Sequence, residues 1–190
     1  MNTKPELYFE TDEEWRKWLL ENHETSAGVY LILYRVTSAI PSMRWEEAVR
    51  VALCFGWIDS TAKRIDEEKR RQLFTPRNVK SVWSKLNKTH IEDLIEKDLM
   101  HESGLKKIEA AKKNGSWTTL DDVENLNIPE DLLMAFNDNS VAFSNYKNFS
   151  PSYRKSYLYW LNSAKRQDTR EKRIAEIIRL CCNNLKTRPQ

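Results

Sequence analysis

Residues 29–35, VYLILYR, constrain this chain more than any other stretch. The run is apolar on both alternating faces and rich in branched and aromatic residues, and it is far too short to cross a bilayer as a helix. It predicts an inner strand around which the remaining elements must pack. Upstream, Thr11 and Glu14 form a capping-box pattern ahead of Trp15, Trp18 and Leu19, so a helix is expected over about 12–22. Downstream, Trp45, Ala48, Val49, Ala52 and Leu53 repeat at helical spacing until Gly56, which suits a left-handed helix end. Residues 57–65 and 71–75 then read as a hairpin turning through the charged 67–69 and stopped by Pro76, which has no amide for a ladder. Period two puts Trp57, Asp59, Thr61 and Lys63 on one face of its first strand, and Ile58, Ser60, Ala62 and Arg64 on the other.

Helical patterns dominate the rest. Ser81 is the expected cap of a helix reaching about Lys97, with Leu86, Ile91, Leu94 and Ile95 inward, and a further helix spans about 104–114 before Gly115. From Asp121 the acidic DDVENLNIPED reads as a linker into a helix near 130–137. Ser150 and Pro151 occupy the N-cap and N1 positions of a helix with the stripe Tyr153, Tyr157, Trp160, Leu161 and Ala164. Asp168 with Glu171 caps a last one carrying Ile174, Ile177, Ile178 and Cys181, so the tail is read as a helical hairpin. The fold class expected is α+β: a small antiparallel sheet packed by helices over residues 1–120, followed by a C-terminal helical segment, 121–190, docked on it.

A length of 190 residues is enough for a self-sufficient core without disulfide stapling. Cys54, Cys181 and Cys182 have neither metal nor disulfide-framework spacing, and an adjacent pair bridges only with strain, so the thiols are read as reduced. No signal-like apolar region opens the chain and no long apolar run follows. The expectation is a cytoplasmic, intact chain with no membrane span. The net charge of +3 conceals four blocks, −3 over 1–58, +5 over 59–88, −7 over 89–146 and +8 over 147–190. Such blocks attract anions, but they also attract one another within one molecule, which is the simpler reading.

Candidate chemistry concentrates in CFGWIDSTAKRID and the residues that follow. Trp57, Asp59, Ser60, Lys63, Arg77, Trp83, Ser84, Lys85 and Asn87 come from a strand, the exit of its partner and the start of the next helix. Together they could form an anion pocket, with Arg77 as a planar fork, Lys85 as a point charge and Trp57 or Trp83 as a stacking surface. The alternative is an Asp59 ion pair with one of these cations and tryptophans in the core. His23, His90 and His101 lack zinc spacing, and no GxSxG, P-loop or GxGxxG occurs, so neither a metal nor a cofactor is expected. Cys54 falls where a helix ends, which favours a core role over a nucleophile.

The words WEEAVRVALCFGWIDSTAKRID, LFTPRNVKSVWSKLN, GLKKIEAAKKNGSW and FSPSYRKSYLYWLNSAKRQDTREKRI closely resemble the bacterial YdeI/OmpD-associated family, also labelled bacteriocin-protection proteins, over about residues 5–185. Ser60 stands where glycine is usual in that family, and HES at 101–103 where Thr-Pro-Ala is usual. The resemblance implies association with an outer-membrane porin and tolerance of bacteriocins or cationic antimicrobial peptides, with no established chemistry. The leading expectation is therefore a non-enzymatic binding or adaptor protein of envelope stress. The alternatives are an enzyme or binder of a small phosphorylated or carboxylated molecule in the Asp59/Arg77/Lys85 region, and a weak nucleic-acid binder. The expected partners are an envelope-related protein or a small anionic ligand, with nucleic acid disfavoured.

Overall fold

The computed structural model describes residues 4–188. They divide into two compact units, through Thr118 and from Thr119 onward, each with its own buried cluster. The first unit runs β1 (Glu6–Tyr8), α1 (Asp12–Asn22), β2 (Val29–Tyr34), α2 (Trp45–Cys54), β3 (Trp57–Arg64), β4 (Lys69–Pro76), α3 (Lys85–Glu96) and α4 (Glu102–Asn114). This is an α+β architecture. The sheet order is β1-β2-β4-β3, so VYLILY is an inner strand. The short β1 was not legible as a strand, and it pairs parallel to β2, which makes the expected antiparallel sheet a mixed one.

One sheet face is buried and the other is partly open. Val29, Leu31 and Leu33 are buried while Tyr30, Ile32 and Tyr34 are half-buried, so β2 is packed on one face only. On the buried face Trp15 and Leu19 of α1 meet Val29, Leu31, Phe74 and Trp57, and the Trp15 Nε1–H donates to the Ala48 carbonyl of α2 at 3.1 Å. Burying each such side chain contributes about 1.5–3 kcal/mol, so this cluster holds the unit together. Pairing of its indole N–H lets Trp15 be buried completely.

The register of β3 departs from strict alternation. Asp59 pairs with Phe74 but Ala62 pairs with Gln72, a shift that inserts an extra residue between them. Because cross-strand partners share a face, Ala62 and Arg64 join Trp57 and Asp59 on the inner face instead of opposing them. Three ladders result on that face: Val29–Phe74–Asp59, Leu31–Gln72–Ala62 and Leu33–Arg70–Arg64. The face grades from apolar to cationic along its length.

Two glycines allow α2 and α4 to meet. Gly56 takes φ +71 just after α2, turning the chain into β3. A Cβ on Gly104 would stand 2.2 Å from the Cys54 carbonyl oxygen, so only glycine lets α4 approach the end of α2 this closely. The α3 cap is Ser84, whose Oγ accepts the Asn87 N–H at 3.3 Å, not Ser81. With the start moved, Ile91 and Leu94 are buried as expected but Leu86 and Ile95 are 51% exposed.

The second unit holds α5 (Asp121–Glu124), α6 (Glu130–Asn137), α7 (Ser140–Asn148), α8 (Pro151–Asn162) and α9 (Gln167–Cys182). The expected hairpin is therefore a bundle of these helices, since α7 gave too weak a periodic signal to be seen. Ser150 and Pro151 begin α8 as expected, but Arg166 is the N-cap of α9 and Asp168 lies in its first turn. Leu132, Phe136, Tyr146, Tyr157, Leu161, Ile177 and Leu180 form its core. Lys155 pairs with Glu124 at 2.6 Å and Arg170 donates to both oxygens of Asp131, joining the +8 and −7 blocks within this unit. No helix among the described residues is long and apolar enough to cross a membrane.

Candidate functional site

The nine residues singled out from the sequence fall into different surroundings. Trp57 is enclosed, its Nε1–H donating to the His23 carbonyl at 3.2 Å and its ring standing edge-on to Trp15 and Trp18. It has no face left for a ligand. Ser84 and Asn87 are occupied in the α3 cap, while Ser60, Lys63 and Lys85 are exposed. Arg77 and Trp83 do come together: the guanidinium lies 3.6 Å from the ring centroid, and both residues are buried. Nη2 of Arg77 donates to the Val82 carbonyl at 2.5 Å, but Nε and Nη1 have no partner. Burial pulls its pKa down to about 10, against the opposing pull of the Asp59 carboxylate. The Asp59 carboxylate is near enough to act on the Arg77 charge, but among the described residues no ion pair within 4.0 Å joins the two.

A concavity of about 390 Å³ lies instead at the cationic end of the inner sheet face. Its floor is Leu33, Met43 and Ala62, and its walls are Tyr34, Trp45 and five cations, Arg35, Arg44, Arg64, Lys69 and Arg70. Three elements bring these together. The chain leaves β2 at Tyr34 straight into Arg35, returns at Arg44 and Trp45 to start α2, and the β3 irregularity turns Arg64 inward beside Arg70. Arg64 is already paired with Glu67, and Lys69 lies 3.9 Å from Asp66. Arg35, Arg44 and Arg70 have no carboxylate partner among the described residues. Three guanidinia with open donors therefore line one hollow, an arrangement that forked anions match.

Asp59 does not line this hollow but is bonded to Trp45, which does. Its Oδ2 accepts the Trp45 Nε1–H at 2.9 Å and the amide of buried Gln72 at 3.0 Å, and Gln72 also donates to the Ser60 carbonyl at 2.9 Å. The carboxylate thus fixes the Trp45 indole at the rim. The start of α2 adds less than the guanidinia do, because Glu47 already accepts the Arg44 N–H at 2.6 Å. A helix end contributes about 0.3–1 kcal/mol toward an anion, against about 1.5–3 kcal/mol for each hydrogen bond to a charged group.

Sequence reasoning missed Arg35, Arg44, Trp45 and Arg70. Arg35 directly ends the inner strand and Arg44-Trp45 directly begin the next helix, so both sit at the same end of the sheet. That connectivity was readable; the β3 irregularity that adds Arg64 was not. No group of three or more metal-ligating side chains occurs among the described residues. Cys54 is buried at the end of α2, its thiol pushed up by burial.

Comparison with protein families divides the chain much as its cores do. Residues 125–184 match the family described as "Bacteriocin-protection, YdeI or OmpD-Associated", the family whose words the sequence carries. The resemblance read over about residues 5–185 is thus matched in the helical tail. Residues 7–107 match a different description, a domain of unknown function. Neither the curated proteins nor the solved structures give a match. The sheet from Leu7 onward, the concavity and every residue that lines it fall in the first of these segments, which covers more than half of the chain, and the protein belongs to the family described as "Domain of unknown function (DUF8412)".

Proposed function

We propose that this is a non-enzymatic binding protein that holds a small anionic ligand, bearing phosphate or carboxylate, in the concavity walled by Arg35, Arg44 and Arg70. The observation that carries this is the convergence of three guanidinia without carboxylate partners on one hollow. Guanidinia keep their charge at every physiological pH and offer planar pairs of donors, so the wall is built to hold charge, not to move protons. The tail's match to a bacteriocin-protection family supports a role for this binding in envelope defence. The site differs from the Asp59/Arg77/Lys85 region because Arg77 is turned under Trp83, whereas Arg44 and Arg70 are exposed.

Calorimetric titration with inorganic pyrophosphate at low salt tests the reading. Saturable binding is expected, weakened about tenfold or more by Arg70→Ala and by Arg44→Ala, and falling as salt screens the wall. Binding that is unchanged in both variants, or no binding at all, contradicts it.

A further inference from the structure

Six of the seven tryptophans have another ring or a cation against the indole. Trp15, Trp18 and Trp57 pack on one another, Trp83 packs on Trp117, and Trp160 lies beneath Arg173 and Arg188. Trp45 is the exception: among the described residues no ring or cation lies against its indole, it is 38% exposed, and it forms part of the wall of the cationic hollow. It is nevertheless held in place. It is the first residue of α2, and its Nε1–H is tied to Asp59, which Gln72 in turn holds from the core.

A rigid, open indole beside open guanidinia has two recognition elements, a flat apolar face and a set of anion donors. An inorganic anion would use only the second. Tyr34 does not duplicate the first, because Lys69 lies over its ring and Tyr8 meets it edge-on. We infer that the ligand of this site is a nucleoside phosphate, its base stacked on Trp45 and its phosphates on Arg35, Arg44 and Arg70. This rests on the anion-binding reading above and adds the identity of the ligand. A volume of about 390 Å³ lies within the range of small-molecule sites and suits a single nucleotide. Stacking on one tryptophan face tolerates any base, so discrimination among bases is expected to be slight.

The test is a set of titrations of the full chain with inorganic pyrophosphate, ribose 5-phosphate, AMP, ADP and a short single-stranded oligonucleotide. ADP is expected to bind on the order of tenfold tighter than pyrophosphate, and AMP on the order of tenfold tighter than ribose 5-phosphate. Trp45→Ala should abolish that preference, read as the ratio of ADP to pyrophosphate affinity within the variant, whatever the freed Asp59 carboxylate does to both. Trp45→Phe, which keeps a ring but gives up the bond to Asp59, should retain most of it, and so separates stacking from any disturbance of Asp59. Equal binding of ADP and pyrophosphate, unaffected by Trp45→Ala, overturns the nucleoside assignment and leaves anion binding standing. Failure of every phosphate to bind overturns both readings. An oligonucleotide that binds where no mononucleotide does also overturns this one, since the surface would then be a strand-binding one.

Discussion

Arg77 shows how a single residue can carry the chemistry of a site and serve the fold. Its guanidinium is buried on the Trp83 ring with one hydrogen bond and two nitrogens unpartnered, and burial depresses its pKa to about 10. A buried charge this poorly compensated costs stability, while the stacked stem and ring contribute it. Arg77→Ala is expected to destabilise the fold by about 2–4 kcal/mol, through the cavity left beneath Trp83. Arg77→Met, which fills that space without a charge, should cost under about 1.5 kcal/mol, and Arg77→Lys should be worse than methionine because an ammonium is more strongly hydrated. Urea unfolding of the three variants checks the order; a lysine variant as stable as the wild type with an unfolded methionine variant contradicts it. Residue types at Arg77 and Trp83 were legible as neighbours in the sequence. Their burial was not, since exposure depends on what packs above them.

Among the elements, the strands and helices with strong periodicity were the legible ones. VYLILY, the α1 cap at Thr11 and the α2 stop at Gly56 each rest on a local signal that the tertiary structure keeps. The β3 irregularity and the two-turn helix α7 have no such signal. The first was decisive, because it brings Arg64 to the inner face and so completes the cationic wall. Histidines join the helices to one another. His90 of α3 is buried against Arg50 of α2, whose Nη1 donates to its Nδ1 at 3.3 Å, with Glu46 and Asp93 as the opposing charges. His101 caps α4, accepting the Ser103 N–H at 3.2 Å, and packs on Phe55 and His23, with Arg16, Glu24 and Glu102 nearby. Burial lowers the pKa of both below the usual value of 6.5. The unfolded chain therefore binds more protons than the folded one as pH falls below about 6.5, so stability is fully present above that pH and declines toward the lower native pKa values. Denaturant unfolding at pH 7 and pH 5 should show this loss. His101→Asn, which keeps a capping acceptor without titrating, should reduce it. A pH-independent stability over that range would show that neither histidine is held neutral by the fold.

At the scale of the whole molecule, the chain carries two cores, one around Trp15 and Trp57 and one around Phe136, Tyr146 and Tyr157. The acidic and basic blocks behind the small net charge are used in part within the second unit, where Lys155–Glu124 and Arg170–Asp131 cross from one block to the other. The cationic wall belongs entirely to the first unit. Residues 1–118 expressed alone should therefore give a cooperative unfolding transition and retain pyrophosphate binding within about threefold of the full chain. An unfolded fragment would contradict the independence of that core. The central claim is that a phosphate-bearing ligand occupies the hollow at the end of the sheet. Amide chemical-shift mapping during titration with pyrophosphate tests it most directly. The account predicts saturable shifts confined to residues 34–36, 43–45, 62–64 and 69–70. Shifts centred on residues 77–87, or none at all up to millimolar ligand, would contradict it.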